Sequence, residues 1–256
     1  MSGTSMDGVD AALCEFDGAR FLTVCATRSV PYPSALRSEL LQLQRGTLAL
    51  PLARIAELDN AVAEAFAATA QPLCSGRRIA AIGSHGQTVF HDPKGAASSL
   101  QFGNPSHLAA RCGVPVVADF RRADIALGGH GAPLVPAFHH ELFARTDETR
   151  VVLNLGGIAN ITLLPGASPQ TVTGWDSGPG NGLMDEWAEQ HLGKPFDAAG
   201  NWAASGQVHA DLLKALLADD YFKRPPPKST GRDAFSLLWL HQRYPTLNQL
   251  APEDVQ

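Results

Sequence analysis

Gly174-Trp175-Asp176-Ser177-Gly178-Pro179-Gly180-Asn181 is the stretch from which the fold is read. Ahead of it, Thr171, Val172, Thr173 and Trp175 form an apolar run that predicts a strand closing at Asp176. Gly178, Pro179, Gly180 and Asn181 are expected to break it in a tight turn. Leu183, Met184, Trp187 and His191 then recur near helical spacing. An acid at a strand end, followed by a glycine turn and a helix, is where open α/β sheets place ligands. Backbone N–H groups of such a turn, with a helix N-terminus behind them, favour an anion. Two readings of Asp176 stand side by side: a base beside a phosphate, or a carboxylate that caps a turn.

The 256 residues are 45% hydrophobic and 18% charged, enough for a packed core in one large or two medium domains. A net charge of −5 gives no general attraction to nucleic acid or to an anionic membrane. No apolar run is long enough to span a bilayer, and Met1-Ser2-Gly3-Thr4 lacks the marks of a signal peptide. Cys14, Cys25, Cys74 and Cys112 are scattered and read as buried or incidental thiols of a reducing compartment. A cytoplasmic protein is expected. Asn160-Ile161-Thr162 spells a glycosylation acceptor that carries no meaning without secretion.

Gly3-Thr4-Ser5-Met6-Asp7-Gly8 is a glycine-hydroxyl loop. It reads either as a phosphate wrap or as a plain turn; no Gly-Lys-Ser/Thr follows, so it is no Walker A loop. A strand over 9–16, Asp17-Gly18 and a return strand over 21–27 predict a hairpin. Helices are expected over 34–44 and 52–70, the second with Ile55, Leu58, Val62 and Phe66 inward and Glu57, Asp59 and Glu64 solvated. A buried strand over 79–84 runs into Ser84-His85-Gly86-Gln87-Thr88. There His85 is a base, a ligand or a loop hydrogen-bond donor. A turn at 101–105, a helix over 106–112 and a strand over 115–118 lead to Arg121 and Arg122, read as an anion fork or as a surface ion-pair cluster.

Gly128 to Pro133 looks like a hinge, dividing the chain into domains of residues 1–127 and 128–256. A helix over 134–143 follows. A strand over 151–155, a turn at Gly156-Gly157 and a strand over 158–164 repeat the design of the first residues. The echo suggests two related halves. An amphipathic helix is expected over 204–219, with Val208, Leu212, Leu213 and Leu216 inward. Pro225-Pro226-Pro227-Lys228-Ser229-Thr230-Gly231-Arg232 is a rigid connector or the lining of an anion pocket, and residues 239–244 are helical. The histidines include no HExxH, and Gly3-Thr4-Ser5 completes no Gly-x-Ser-x-Gly, so metal-hydrolase and serine-hydrolase readings fail.

Read together, the chain resembles the anhydro-N-acetylmuramic acid kinase family of the actin/Hsp70/sugar-kinase superfamily. The pieces that carry the resemblance run in the family's order: Met1 to Gly8, Gly83 to Thr88, Gly103-Asn104-Pro105, Val117 to Arg122, Gly131 to Pro136, Asn154-Leu155-Gly156-Gly157, Asp176 to Asn181 and Pro227 to Arg232. The resemblance implies an α/β fold of two RNase-H-like, actin-like ATPase lobes around a central cleft. It implies opening of a 1,6-anhydro sugar by water and phosphorylation of O6 by ATP, in peptidoglycan recycling.

By the same resemblance Gly3, Thr4, Ser5, Met6, Asp7, Gly8, Val9 and Asp10 are the first ATP phosphate loop, and Asn154, Gly156 and Gly157 belong to the second. Asp176 is the general base. His85, Gln87, Thr88, Arg121, Arg122, Gly178, Gly180 and Asn181 face the sugar. Mg²⁺ accompanies ATP, with no direct protein ligand and Asp7 acting through water. The arginines are candidates for the lactyl carboxylate. The expected partners are the small sugar and ATP, with a homodimer as the family expectation and neither nucleic acid nor membrane. Against the family pattern, no apolar strand precedes Met1, and neither the C-terminal Gly-Gly-Gly adenosine motif nor a sugar-fixing glutamate is present. The expectations are therefore a truncated second lobe and poor stability, with an inactive sugar-binding remnant or a kinase for another sugar as alternatives.

Overall fold

A short glycine-hydroxyl loop feeding two strands with a two-residue turn can only fold back on itself, and the computed structural model begins that way. It describes residues 1–3, 6–44, 46–166, 172–231 and 234–256. The mixed α/β chain forms two compact units, Met1–Gly131 and Ala132–Gln256.

In the first unit β1 (Gly8–Asp17) and β2 (Arg20–Pro31) form an antiparallel hairpin; β2 runs four residues past the expected 27 because pairing continues to Gly8↔Pro31. A side chain at Gly8 would meet the Val30 carbonyl at 2.6 Å, so this close pairing needs glycine. Helices α1 (Ser34–Gln44) and α2 (Leu52–Cys74) follow. Leu58, Val62 and Phe66 of α2 are buried, as their spacing requires, in a core shared with Met6, Val9 and Leu40. The solvated acidic face needs one amendment: Asp59 accepts from the Gly103 amide at 2.7 Å, whereas Glu64 pairs with Arg111 and His107 in partial exposure.

The expected strand over 79–84 narrows to β3 (Ile82–Ser84), which pairs in parallel with β6 (Val116–Ala118). Between them lies a hairpin that the periodicity did not suggest, β4 (Gln87–Asp92) and β5 (Ser98–Phe102). Its strands alternate too irregularly to read, because a register shift falls between Thr88 and Phe90. Helix α3 (Pro105–Cys112) carries a full set of end signals. Asn104 accepts from the Ser106 and His107 amides, Pro105 opens the first turn and Gly113 closes it at φ +66°. The two arginines follow the end of β6 in a short helix, α4 (Phe120–Ala126).

The second unit opens with α5 (Pro136–Phe143) and an antiparallel sheet in the order β7 (Arg150–Leu155), β8 (Ile158–Leu164), β9 (Thr173–Pro179). Strand β9 does not close at Asp176. It runs on to Pro179, because Ala159 and Ile158 continue to pair it and one extra residue, Ser177, is absorbed as a bulge. Helix α6 (Asn181–Leu192) starts at once and ends at Gly193 in the left-handed conformation.

The expected helix over 204–219 is shorter: a 3₁₀ turn at Ala203–Ser205, then α7 (Ala210–Leu217), whose first turn is capped by His209 Nδ1. Val208 therefore lies outside the helix and is exposed, as is much of Leu213. Helices α8 (Asp220–Lys223), α9 (Leu237–Arg243) and α10 (Pro252–Val255) complete this unit. Its core gathers Trp187, Tyr221, Phe235, Trp239 and Leu247. Asp219 ties three pieces of it together, accepting from the Tyr221 amide, Trp239 Nε1 and Arg243. All four cysteines are free thiols, and none of them is fully buried.

Candidate active site

The first loop is held by backbone bonds at its ends and by a buried glutamine beneath it. Met1 and Asp10 exchange two backbone bonds of 2.8 Å each. Gln87, 0% exposed, donates to the Gly3 and Thr88 carbonyls and accepts from Tyr32 Oη. These bonds make Gln87 an anchor of the loop. Met6 and Val9 are core residues, 0% and 2% exposed, and the Met6 amide donates to the Gly3 carbonyl at 3.2 Å. Arg37 donates to the Met6 carbonyl at 3.0 Å and pairs with the exposed Asp7 carboxylate at 3.2 Å. Thr4 and Ser5 lie outside the described residues, as does Arg232.

His85 and Arg121 come together. Arg121 Nε donates to His85 Nε2 at 2.8 Å, and His85 Nδ1 lies 2.8 Å from the Gly86 carbonyl. The ring must then carry its proton on Nδ1 and stay neutral. Burial, helped by the arginine's charge, depresses its pKa to about 4. This settles the sequence alternatives against a base at neutral pH, since the Nε2 lone pair is already used. Arg121 also donates to the Gly131 carbonyl. Arg122 points elsewhere, forming an exposed i,i+3 pair with Asp119 at 2.6 Å. Thr88 Oγ1 accepts from Gln101.

The second group is built on the three-stranded sheet. The register sets Asn154 opposite Asn160, and Asn160 opposite Asp176. The three side chains therefore form one row on one face. Asp176 is 6% exposed. Its backbone is engaged on the side away from β8: the amide donates to the Lys228 carbonyl at 3.2 Å and the carbonyl accepts from Tyr221 Oη at 2.7 Å. Its Oδ2 accepts from the Thr230 amide at 3.0 Å. Lys228, itself buried, reinforces the clamp by donating to the Tyr221 carbonyl and lying 4.7 Å from that ring's centre. Burial, and then the Asp176 charge, raises the Tyr221 pKa, so its hydroxyl remains a donor.

One expectation fails here. The amides of Gly180, Asn181 and Gly182 do not present themselves to an anion. They donate to the Gly157, Gly156 and Gly157 carbonyls at 3.1, 2.9 and 3.2 Å. A side chain at Gly180 would collide with the Gly156 carbonyl, and one at Gly178 would meet Phe222 at 2.7 Å. These glycines allow the β7–β8 turn, β9 and α6 to meet. Residues that sequence reasoning passed over are Asn160 and Tyr221; the 228–230 stretch, read as a connector or an anion-pocket lining, gives its Lys228 carbonyl and Thr230 amide to Asp176. Asn160 was hidden by the turn: a two-residue turn at Gly156-Gly157 would set Ala159 opposite Asn154, whereas the loop holds one residue more and Leu155 pairs with Ala159.

Among the described residues no three His, Cys, Asp or Glu side chains gather as a metal site. Mg²⁺ commonly keeps most of its waters and rides on substrate phosphates, and a single exposed carboxylate such as Asp7 fits that outer role. No helix among the described residues is long and apolar enough to cross a membrane.

The sequence model of the family described as anhydro-N-acetylmuramic acid kinase matches residues 1–256. The chain belongs to this kinase family. Among its relatives, the anhydro-N-acetylmuramic acid kinase of Variovorax paradoxus (strain S110) is 49% identical over 268 residues, spanning 100% of this chain and 71% of that protein. The protein of the same name from Shewanella putrefaciens (strain CN-32 / ATCC BAA-453) is 49% identical over 267 residues, with 100% and 70% covered. That of Burkholderia cenocepacia is 49% identical over 262 residues, with 100% and 68% covered. Membership makes the chain a kinase with ATP as the implied phosphoryl donor.

Proposed function

We propose that the chain opens 1,6-anhydro-N-acetylmuramic acid with water and phosphorylates its O6 from ATP, with Asp176 as general base. The observation that carries this reading is the Asp176 carboxylate: nearly buried, fixed by the Thr230 amide, with its backbone clamped from Lys228 and Tyr221. Such preorganisation is costly for a turn cap and useful for a base.

Water is a poor nucleophile at neutral pH. As its oxygen bonds to C1, one of its protons passes to Asp176 and the C1–O6 bond breaks. The electron pair left on O6 attacks the γ-phosphorus, and the bond to the β-phosphate oxygen breaks as ADP leaves. The products are N-acetylmuramic acid 6-phosphate and ADP, with the proton on Asp176. The Gly3–Asp10 loop, anchored by Gln87, holds phosphate through backbone N–H groups, and Asn154, Gly156 and Gly157 form the second loop. Mg²⁺, when bound with ATP, supplies charge neutralisation at the phosphates. Arg121, held by neutral His85, is the carboxylate-reading arginine; Arg122, spent on Asp119, is not.

A coupled ADP-release assay with the anhydro sugar, followed by phosphorus NMR of the product, tests this. Sugar-dependent ADP release with a phosphomonoester on O6 is expected. Faster turnover of ordinary hexoses, or ADP release indifferent to sugar, would overturn it.

A further inference from the structure

We infer that Asn160 is the second acceptor that orients the attacking water, a role that rests on Asp176 being the base. Asn160 stands directly opposite Asp176 on the neighbouring strand. Because the Asp176 N–H and C=O are engaged with Lys228 and Tyr221, away from β8, this is the non-hydrogen-bonded kind of antiparallel pair. In that arrangement the two side chains approach most closely, with Cβ atoms roughly 4.5–5.5 Å apart. The bulge at Ser177 lies immediately beside the pair, and bulges commonly re-aim a neighbouring side chain.

Asn160 Oδ1 is buried and has no hydrogen-bond partner among the described residues. A buried amide oxygen without a donor is uncommon in a native structure. Here it shares a face with a carboxylate. Two acceptors at that spacing match the two hydrogens of one water molecule. Asp176 takes the proton that is lost; Asn160 holds the hydrogen that stays. With only one acceptor the water rotates about its single bond, and its lone pair is not held toward C1. Methanol has a single O–H and gains nothing from the second acceptor.

This difference gives the test. Turnover is run on the full chain in water containing methanol, and the reducing sugar phosphate and methyl glycoside phosphate are counted by mass spectrometry. Asn160→Leu keeps the side chain's bulk without its acceptor. It should lower kcat about 10- to 100-fold, leave the sugar KM within a few-fold and raise the methyl-to-reducing product ratio several-fold. Asn160→Asp keeps an acceptor but puts two carboxylates side by side, so the acidic limb of the kcat profile should move to higher pH. Asp176→Asn should lose both products. A folded Asn160→Leu with the wild-type product ratio, beside an inactive Asp176→Asn, overturns the role of Asn160 and leaves the base standing. If Asn160→Leu does not fold, an unmoved acidic limb in Asn160→Asp overturns it instead. Wild-type turnover in Asp176→Asn overturns the base and this inference together.

Discussion

Acidification should destabilise the first unit through one side chain, His85. Its ring donates from Nδ1 and accepts from Arg121 at Nε2. Protonation would break the second bond and set two cations against each other in a partly buried place. The folded pKa is about 4 against an ordinary 6.5. Between those values the unfolded chain binds more protons than the folded one, so stability falls as pH falls. The contribution is fully present above pH 6.5 and is lost toward pH 4. At about 1.36 kcal/mol per unit, and discounting for the partly open edge of the ring, the loss is about 2–3 kcal/mol. His85→Gln keeps a neutral acceptor for Arg121 and cannot titrate in this range. Urea unfolding of both proteins at a series of pH values gives the difference curve, in which acid effects from carboxylates elsewhere cancel. The wild type should lose about 2–3 kcal/mol relative to His85→Gln as pH drops from 7.5 to 4.5. Parallel curves would show that the tautomer and the Arg121 contact were misread.

The two glycine clusters should respond unequally. Gly180→Ala drives a methyl into the Gly156 carbonyl and disturbs the Asn181 and Gly182 bonds; calorimetry should show a loss of about 3 kcal/mol, or roughly 6–12 °C in Tm. Gly156→Ala, whose nearest contact would be an ordinary 3.5 Å, should stay within about 0.5 kcal/mol, and equal losses would contradict the packing described. Gln87→Leu strands the Gly3 carbonyl and Tyr32 hydroxyl, costing about 1–3 kcal/mol, and should raise the KM for ATP while sparing that for sugar. The reverse pattern in steady-state kinetics would return Gln87 to the sugar.

What the sequence made legible was whatever rests on local signals. The Asn104-Pro105 cap and Gly113 bound α3, and the spacing of Leu58, Val62 and Phe66 aims α2 inward, because these act over a single turn. The row of Asn154 and Asn160 lay one residue outside that logic, because a two-residue turn at Gly156-Gly157 pairs Asn154 with Ala159. The fate of Asp176 was not legible either. Its strand continues through Gly178 to Pro179 because a partner strand pairs it, and the 228–230 backbone supplies bonds to Asp176 from far along the chain. Nor could composition show that the Asn181 and Gly182 amides, good anion donors in isolation, are consumed by a turn some 25 residues earlier. The His85–Arg121 contact joins residues 36 apart and fixes a tautomer that no motif encodes.

The most direct measurement is the turnover of Asp176→Asn with 1,6-anhydro-N-acetylmuramic acid and ATP, beside a melting curve showing that the variant folds. The amide keeps the shape and can still accept from Thr230, but cannot take a proton from water. A drop in kcat of about 10²–10⁴ is expected, with the sugar KM little changed. A rate within a few-fold of wild type would contradict the assignment of Asp176 as the base.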